Sequence, residues 1–278
     1  MTEKQYEWWE GPNARKNEKW KPTVEELTKY LGLERAPVAV KFIKSNEDFP
    51  AGVKHPKKPL TVCQFVATAR FGAAIGPPGQ TWGIPIQGLT LAADENDLSC
   101  PFAKDRLGIE ELPKEIFSLM GSAFAIVDGE DVAWTKLRKN VPQIPPGEIK
   151  GFVTAPLEYT PVEPDFVIVS VNPWQLTRCE NAWSFVTDGE PLIKKDVGTF
   201  STCAFLFAHV YNTDTPNAVV PCQARIIRGF IGSKEELLFA LPVKYIDDFV
   251  KGLKRTDEVG WKYPPVIEFW PTEDIYPS

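Results

Sequence analysis

Apolar positions recur along this chain with two different periods, and each period predicts a different kind of element. Residues 37–43, 151–157, 166–171 and 236–241 are nearly unbroken apolar runs of strand length, and 83–91 is a further strand-like run. Val24, Leu27 and Leu31 fall on one face of a helix. That helix is expected to start at Thr23, which has capping-box spacing to Glu26, and to stop at Gly32. Val243, Ile246, Phe249, Val250 and Leu253 mark a second amphipathic helix. Further helices are expected over 61–72, 112–119, 132–137, 173–185 and 200–211, with Pro173 suited to a first helical turn. The helix over 61–72 carries Ala67, Ala69 and Gly72, small residues that permit close packing, and Gly76-Pro77-Pro78-Gly79 is a turn signal.

Strands and helices interspersed in this way predict an α/β or α+β protein, a mixed sheet with flanking helices. Residues 1–22 read as an extended arm bearing Trp8, Trp9 and Trp20, and residues 255–278 as an extended aromatic strap. Between them, three prolines in 141–147 divide the core into halves, 23–147 and 148–254. The halves echo one another. Thr61-Val62-Cys63-Gln64-Phe65 recurs as Ser201-Thr202-Cys203-Ala204-Phe205, and Cys100 with Ala103, Arg106 and Gly108 recurs loosely as Cys222 with Ala224, Arg228 and Gly229. A pseudo-two-fold repeat relating the halves would draw four cysteines together, with Cys179 outside the pattern.

Composition narrows the chemistry. The 278 residues are 43% hydrophobic and carry a net charge of −6, which opposes capture of nucleic acid or of anionic membrane surfaces. The amino-terminal stretch lacks the apolar run of a signal peptide, and no window approaches a membrane span, so a cytoplasmic protein is expected. Five cysteines in such a protein are expected as thiols, metal ligands or catalytic groups rather than disulfides.

Several motifs carry a family resemblance. Pro37-Val38-Ala39-Val40-Lys41-Phe42, Cys63-Gln64 with Ala69-Arg70, Asn96 with Ser99-Cys100-Pro101, and Pro221-Cys222 with Ala224-Arg225 resemble the signature blocks of domain-of-unknown-function family 169, over about Leu27 to Leu253. The resemblance singles out Cys63, Cys100, Cys203 and Cys222. Phe102 departs from it, standing where the pattern has glycine after Cys-Pro, and a phenylalanine there restricts close backbone approach.

Four thiolates suit an iron–sulfur cluster, and soft sulfur donors also suit zinc. The separations of thirty-seven residues from Cys63 to Cys100 and nineteen from Cys203 to Cys222 contain no Cys-x-x-Cys pair, so the ligands would have to converge from separate elements. Cys63 and Cys203 each stand near an expected helix start, where N–H groups favour an anion, and Arg70 and Arg225 can add compensating charge. The expectation is a four-iron cluster on Cys63, Cys100, Cys203 and Cys222 in an oxygen-sensitive redox protein or reductive enzyme acting on a small organic molecule. A redox partner and homo-oligomerisation accompany that reading; zinc is the alternative metal. An open iron would suit a hydratase or lyase instead. Buried structural cysteines in a non-catalytic binding module form the rival.

Other chemistry has less support. His55 and His209 are the two histidines, too few for a multi-histidine metal centre. Neither a Walker-type phosphate loop nor a dinucleotide fingerprint occurs. Asp94, Glu95 and Asp97 read as a carboxylate cluster or a hydrated turn, and Trp82, Trp134, Trp174 and Trp183 as pocket walls or core.

Overall fold

The computed structural model describes residues 17–71, 89–123, 126–222, 225–226 and 234–262. The turn at 76–79, most of the strand expected over 83–91, Trp82, most of the amino-terminal arm and most of the carboxy-terminal strap lie outside the described residues.

Six strands form one sheet: β1 (Val38–Lys44), β2 (Leu91–Ala93), β3 (Ile149–Pro156), β4 (Phe166–Val171), β5 (Asn217–Val219) and β6 (Leu237–Pro242). Their order is β2-β3-β1-β4-β6-β5, and every pairing between them is antiparallel. The sheet thus draws strands from both sides of the proline-bearing stretch 141–147. The strand over 166–171 falls where the apolar run placed it.

Alternation along each strand splits the core in two. Val38, Val40, Phe42, Phe166, Ile168, Leu238 and Ala240 face one side, where they meet helices α2 (Val62–Phe71), α3 (Pro101–Arg106) and α4 (Lys114–Ala123) and the π-helix Ser201–Ala208. Ala39, Val167, Val169, Val171, Phe239 and Leu241 face the other, against α1 (Lys21–Leu31) and two long helices, Pro173–Val186 and Ile246–Glu258. Both faces are buried, which is why the strands read as continuous apolar runs rather than alternating ones.

Short helical pieces complete the chain: α5 (Glu130–Val132), a π-helix Ala133–Leu137 and α6 (Arg138–Asn140), then α7 (Pro173–Val186), α8 (His209–Thr213) continuing the second π-helix, and α9 (Ile246–Glu258). Helix α1 corrects one expectation. It starts at Lys21, two residues before Thr23, with buried Trp20 at its cap and no side-chain cap bond. Pro22 in the first turn, whose missing N–H costs nothing there, takes the role expected of the capping box. Gly32 does stop it, in a left-handed conformation with φ 63°. Helix α7 has the capping box that α1 lacks, with Asn172 and Gln175 bonding each other's backbone N–H.

The tryptophans do not wall one pocket. Trp183 packs on Tyr245 in the core of the α7/α9 face, while Trp134 lies on the opposite face under Arg138 and Trp174 is exposed.

Candidate functional site

Two local ties bring distant cysteines together. Leu60 donates its N–H to the Asp97 carbonyl at 2.7 Å and accepts the Ser99 N–H at 2.9 Å, a short bridge between the segments preceding α2 and α3. Leu60 is three residues before Cys63 and Leu98 two before Cys100, so thirty-seven residues of separation vanish. The second tie is a side chain. The Asp196 carboxylate accepts the Ser201 hydroxyl at 2.9 Å through Oδ1 and the Val220 N–H at 3.0 Å through Oδ2. Ser201 and Val220 each stand two residues before a cysteine, Cys203 and Cys222.

A third contact joins the pairs. Cys63 Sγ lies 3.5 Å from Cys222 Sγ and donates to Thr202 Oγ1 at 3.4 Å. Cys63, Cys203 and Cys222 are buried and Cys100 is half-buried, and none of the five cysteines is disulfide-bonded. No three of the sulfurs lie mutually within 4.8 Å.

Three of the four stand at the start of a helical element. Cys63 is in the first turn of α2, and Cys100 is the N-cap of α3. Cys203 is third in its π-helix, which begins from Phe200 at φ 55°; its thiol faces the Phe200 carbonyl at 3.6 Å. The Cys222 carbonyl accepts the N–H groups of Arg225 and Ile226 at 2.9 and 3.0 Å. The echoed segments therefore differ locally, since Cys63 opens an α-helix and Cys203 a π-helix.

Phe102 explains its own presence. It is buried, with its ring 4.7 Å from that of Phe200 and 5.4 Å from that of Phe117. Those aromatic contacts wall the site below Cys100, where a glycine would leave a void.

Their surroundings hold the metal-free Cys63 and Cys203 thiols protonated. The Cys63 thiol is pushed well above its ordinary value by its hydrogen bond to Cys222 and by burial. Burial raises Cys203 likewise, followed by the influence of Cys100 and Cys222; Arg106 opposes it. Arg106, fully buried and paired with the adjacent Asp105, is the cation that sequence reasoning missed. Its signal is the adjacent Asp105-Arg106 pair, enclosed by Phe102, Ala103 and Leu107 with Lys104 among them.

The two expected arginines lie together. Arg70 pairs with Glu236 at 2.8 Å and bonds the Ser170 hydroxyl, and burial brings its guanidinium down to about 10. Arg225 acts on it from nearby. Cys179 sits on the far side of the sheet, in the core around α7 and α9.

The carboxylates near Cys100 form a separate group. His55 Nδ1 stands 2.5 Å from an Asp97 oxygen and 3.9 Å from one of Asp94, with Asp97 also accepting the Asp94 N–H at 3.0 Å. These bonds fasten His55 to the turn that follows β2. His209 bonds Thr215 Oγ1 at 3.2 Å, and desolvation lowers its pKa.

Fold and site together describe an α/β protein with four cysteines gathered on one face of an antiparallel sheet. The chain belongs to the family of uncharacterised ArCR proteins, domain-of-unknown-function family 169, whose pattern matches residues 26–252. It is 25% identical over 238 residues to an uncharacterised protein of Methanocaldococcus jannaschii, covering 84% of this chain and 93% of that relative. No solved structure gives a significant match. Among the described residues, no helix is long and apolar enough to cross a membrane.

Proposed function

We propose that this is an iron–sulfur protein in which Cys63, Cys100, Cys203 and Cys222 hold one four-iron cluster, serving electron transfer to, or reduction of, a small organic molecule. The carrying observation is the gathering of four cysteines from four separate segments by the Leu60–Leu98 bridge and the Asp196 tie. Their spread supports a polynuclear centre. Four thiolates on a single ion with bonds of about 2.3 Å would stand about 3.8 Å apart throughout, whereas no three of these sulfurs lie within 4.8 Å of one another.

Once bound, such a cluster supplies one-electron chemistry in surroundings that tune its potential. The protein's own groups fit that task. Phe102, Phe117 and Phe200 exclude water from one side. Arg106 supplies buried positive charge near Cys203, and the N–H groups at the start of α2 favour negative charge at Cys63. The four thiol protons leave on metal binding, which makes loading pH-dependent.

The 3.5 Å separation of Cys63 and Cys222 favours a second reading, a single thiolate-bound zinc. Purification without oxygen separates the two. The cluster predicts a brown protein with about four irons per chain, and loss of most of that iron in Cys63→Ser and Cys203→Ser but not in Cys179→Ser. A colourless protein with stoichiometric zinc supports the second reading, and a folded, metal-free protein overturns both.

A further inference from the structure

The Arg225 side chain is 1% exposed, and none of its three guanidinium nitrogens has a hydrogen-bond partner among the described residues. Buried arginines are paired with great regularity, because an isolated buried charge costs several kcal/mol. Here the adjoining buried group makes matters worse. Arg70 is 5% exposed, its guanidinium is lowered chiefly by burial and further by Arg225, and its ion-pair partner Glu236 stands 2.8 Å away. Arg70 thus has a buried anion as partner, and Arg225 bonds none among the described residues.

Among the described residues no carboxylate bonds Arg225, and the undescribed carboxylates all lie in the terminal segments 1–16 and 263–278. Residues 72–88, 124–125, 223–224 and 227–233 contain no aspartate or glutamate. A guanidinium presents five donors in a planar fork that fits a carboxylate with two parallel hydrogen bonds. We infer that Arg225, with the Arg70–Glu236 pair behind it, is the binding site for the carboxylate of a small organic acid. Its meaning as a substrate site rests on the proposed cluster; its existence as an anion site does not.

Position gives the rest. Arg70 lies seven residues along α2 from Cys63, about 10 Å at 1.5 Å per residue. Arg225 follows Cys222 by one helical turn and bonds its carbonyl through the backbone N–H at 2.9 Å. An acid gripped at Arg225 would lie near the segments that carry Cys222 and Cys63. That placement suits a short-chain carboxylic acid whose far end, not its carboxylate, meets the redox centre.

The test uses the full chain purified without oxygen, titrated calorimetrically with acetate, succinate and inorganic phosphate against chloride at matched ionic strength. Acetate or succinate is expected to bind saturably and to raise the melting temperature. Arg225→Gln should weaken that binding about ten- to a hundredfold, the worth of a charged hydrogen-bonded pair, and Arg225→Lys should keep part of it. The Arg225→Met protein without ligand should melt no lower than the parent, since it sheds an unpaired buried charge. Absence of saturable carboxylate binding, equal binding by Arg225→Gln and Arg225→Lys to that of the parent, or binding of phosphate alone would overturn the inference. Iron content is read on the same samples. Carboxylate binding by an iron-free protein leaves the anion site standing and removes the cluster, and an iron-loaded protein that binds no carboxylate does the reverse.

Discussion

Replacing Asp196 by asparagine should uncouple metal retention from folding stability. Oδ1 of the carboxylate accepts the N–H groups of Val197 at 2.8 Å and Gly198 at 3.1 Å and the Ser201 hydroxyl at 2.9 Å, while Oδ2 accepts the Val220 N–H at 3.0 Å. Asparagine keeps one oxygen. With that oxygen at the Oδ1 position three bonds survive, and the amide NH2 then faces the Val220 N–H, donor against donor. The lost bond involves an exposed strand end, so its cost is about 1 kcal/mol. A second effect runs the other way. Burial raises the Asp196 carboxyl above its usual range; the folded state therefore holds its proton more tightly than the unfolded one, and stability from this group falls as pH rises through the carboxylate range. Asparagine carries no charge and escapes that loss at neutral pH. Asp196→Asn should then be nearly as stable as the parent, within about 1 kcal/mol in urea, yet release Val220 and with it Cys222. Asp196→Ala also strands the fully buried Ser201 hydroxyl and should cost about 2–4 kcal/mol. Urea melts with iron analysis after anaerobic gel filtration read both quantities. An asparagine variant that retains iron as the parent does, or an alanine variant as stable as the parent, refutes the reasoning.

Other consequences follow from single sites. Asp105 is fully buried and accepts from Arg106, from Arg138 at 3.3 Å and from the Leu112 N–H at 2.9 Å; Asp105→Asn should cost about 3–5 kcal/mol in urea unfolding by leaving Arg106 unpaired. Cys179, whose thiol burial raises from an ordinary value of 9.0, keeps its proton in the folded state. Its contribution is complete below pH 9 and declines above it as the unfolded chain ionises, so the parent should lose about 1.4 kcal/mol more per pH unit there than Cys179→Ala. A Cβ at Gly151 would stand 2.0 Å from the Ala93 carbonyl oxygen, so Gly151→Ala should push β2 off the sheet edge and lower stability by about 1–3 kcal/mol in thermal melts.

Much of the fold is legible from local pattern, because strands buried on both faces advertise themselves as apolar runs. Phe166–Val171 needs no tertiary information, and neither does the helix beginning at Pro173. The start of α1 was less legible: Thr23 and Glu26 have the right spacing, but burial of Trp20 moved the helix start two residues upstream. At the candidate site, the cysteines can be named as candidates from the sequence, whereas the bonds that hold their segments cannot. The bonds between the Leu60 and Leu98 segments are made by backbone groups, which any residue offers, and Asp196 sits in a charged stretch, Lys194-Lys195-Asp196, that resembles a solvated loop. Arg106 was hidden for the opposite reason, since charged residues flanking a short helix ordinarily face water and this one is sealed by Phe117 and Asp105.

These ties say how the site is assembled. Each stands two or three residues ahead of its cysteine, and two residues of extended chain reach no more than about 7 Å, so fixing the tie fixes the sulfur. One pair, Cys63 with Cys100, is held by a backbone bridge that substitution hardly touches; the other, Cys203 with Cys222, hangs on one carboxylate. Thr202, the Cys63–Cys222 contact and the Phe102–Phe200 ring contact connect the pairs. A chain organised this way should open the proposed centre from the Asp196 side first, with Cys63 and Cys100 still together. The order of failure is therefore set by which tie is a side chain, and the echo between Thr61–Phe65 and Ser201–Phe205 gives no hint of it, because the cysteines recur while the groups that hold them do not.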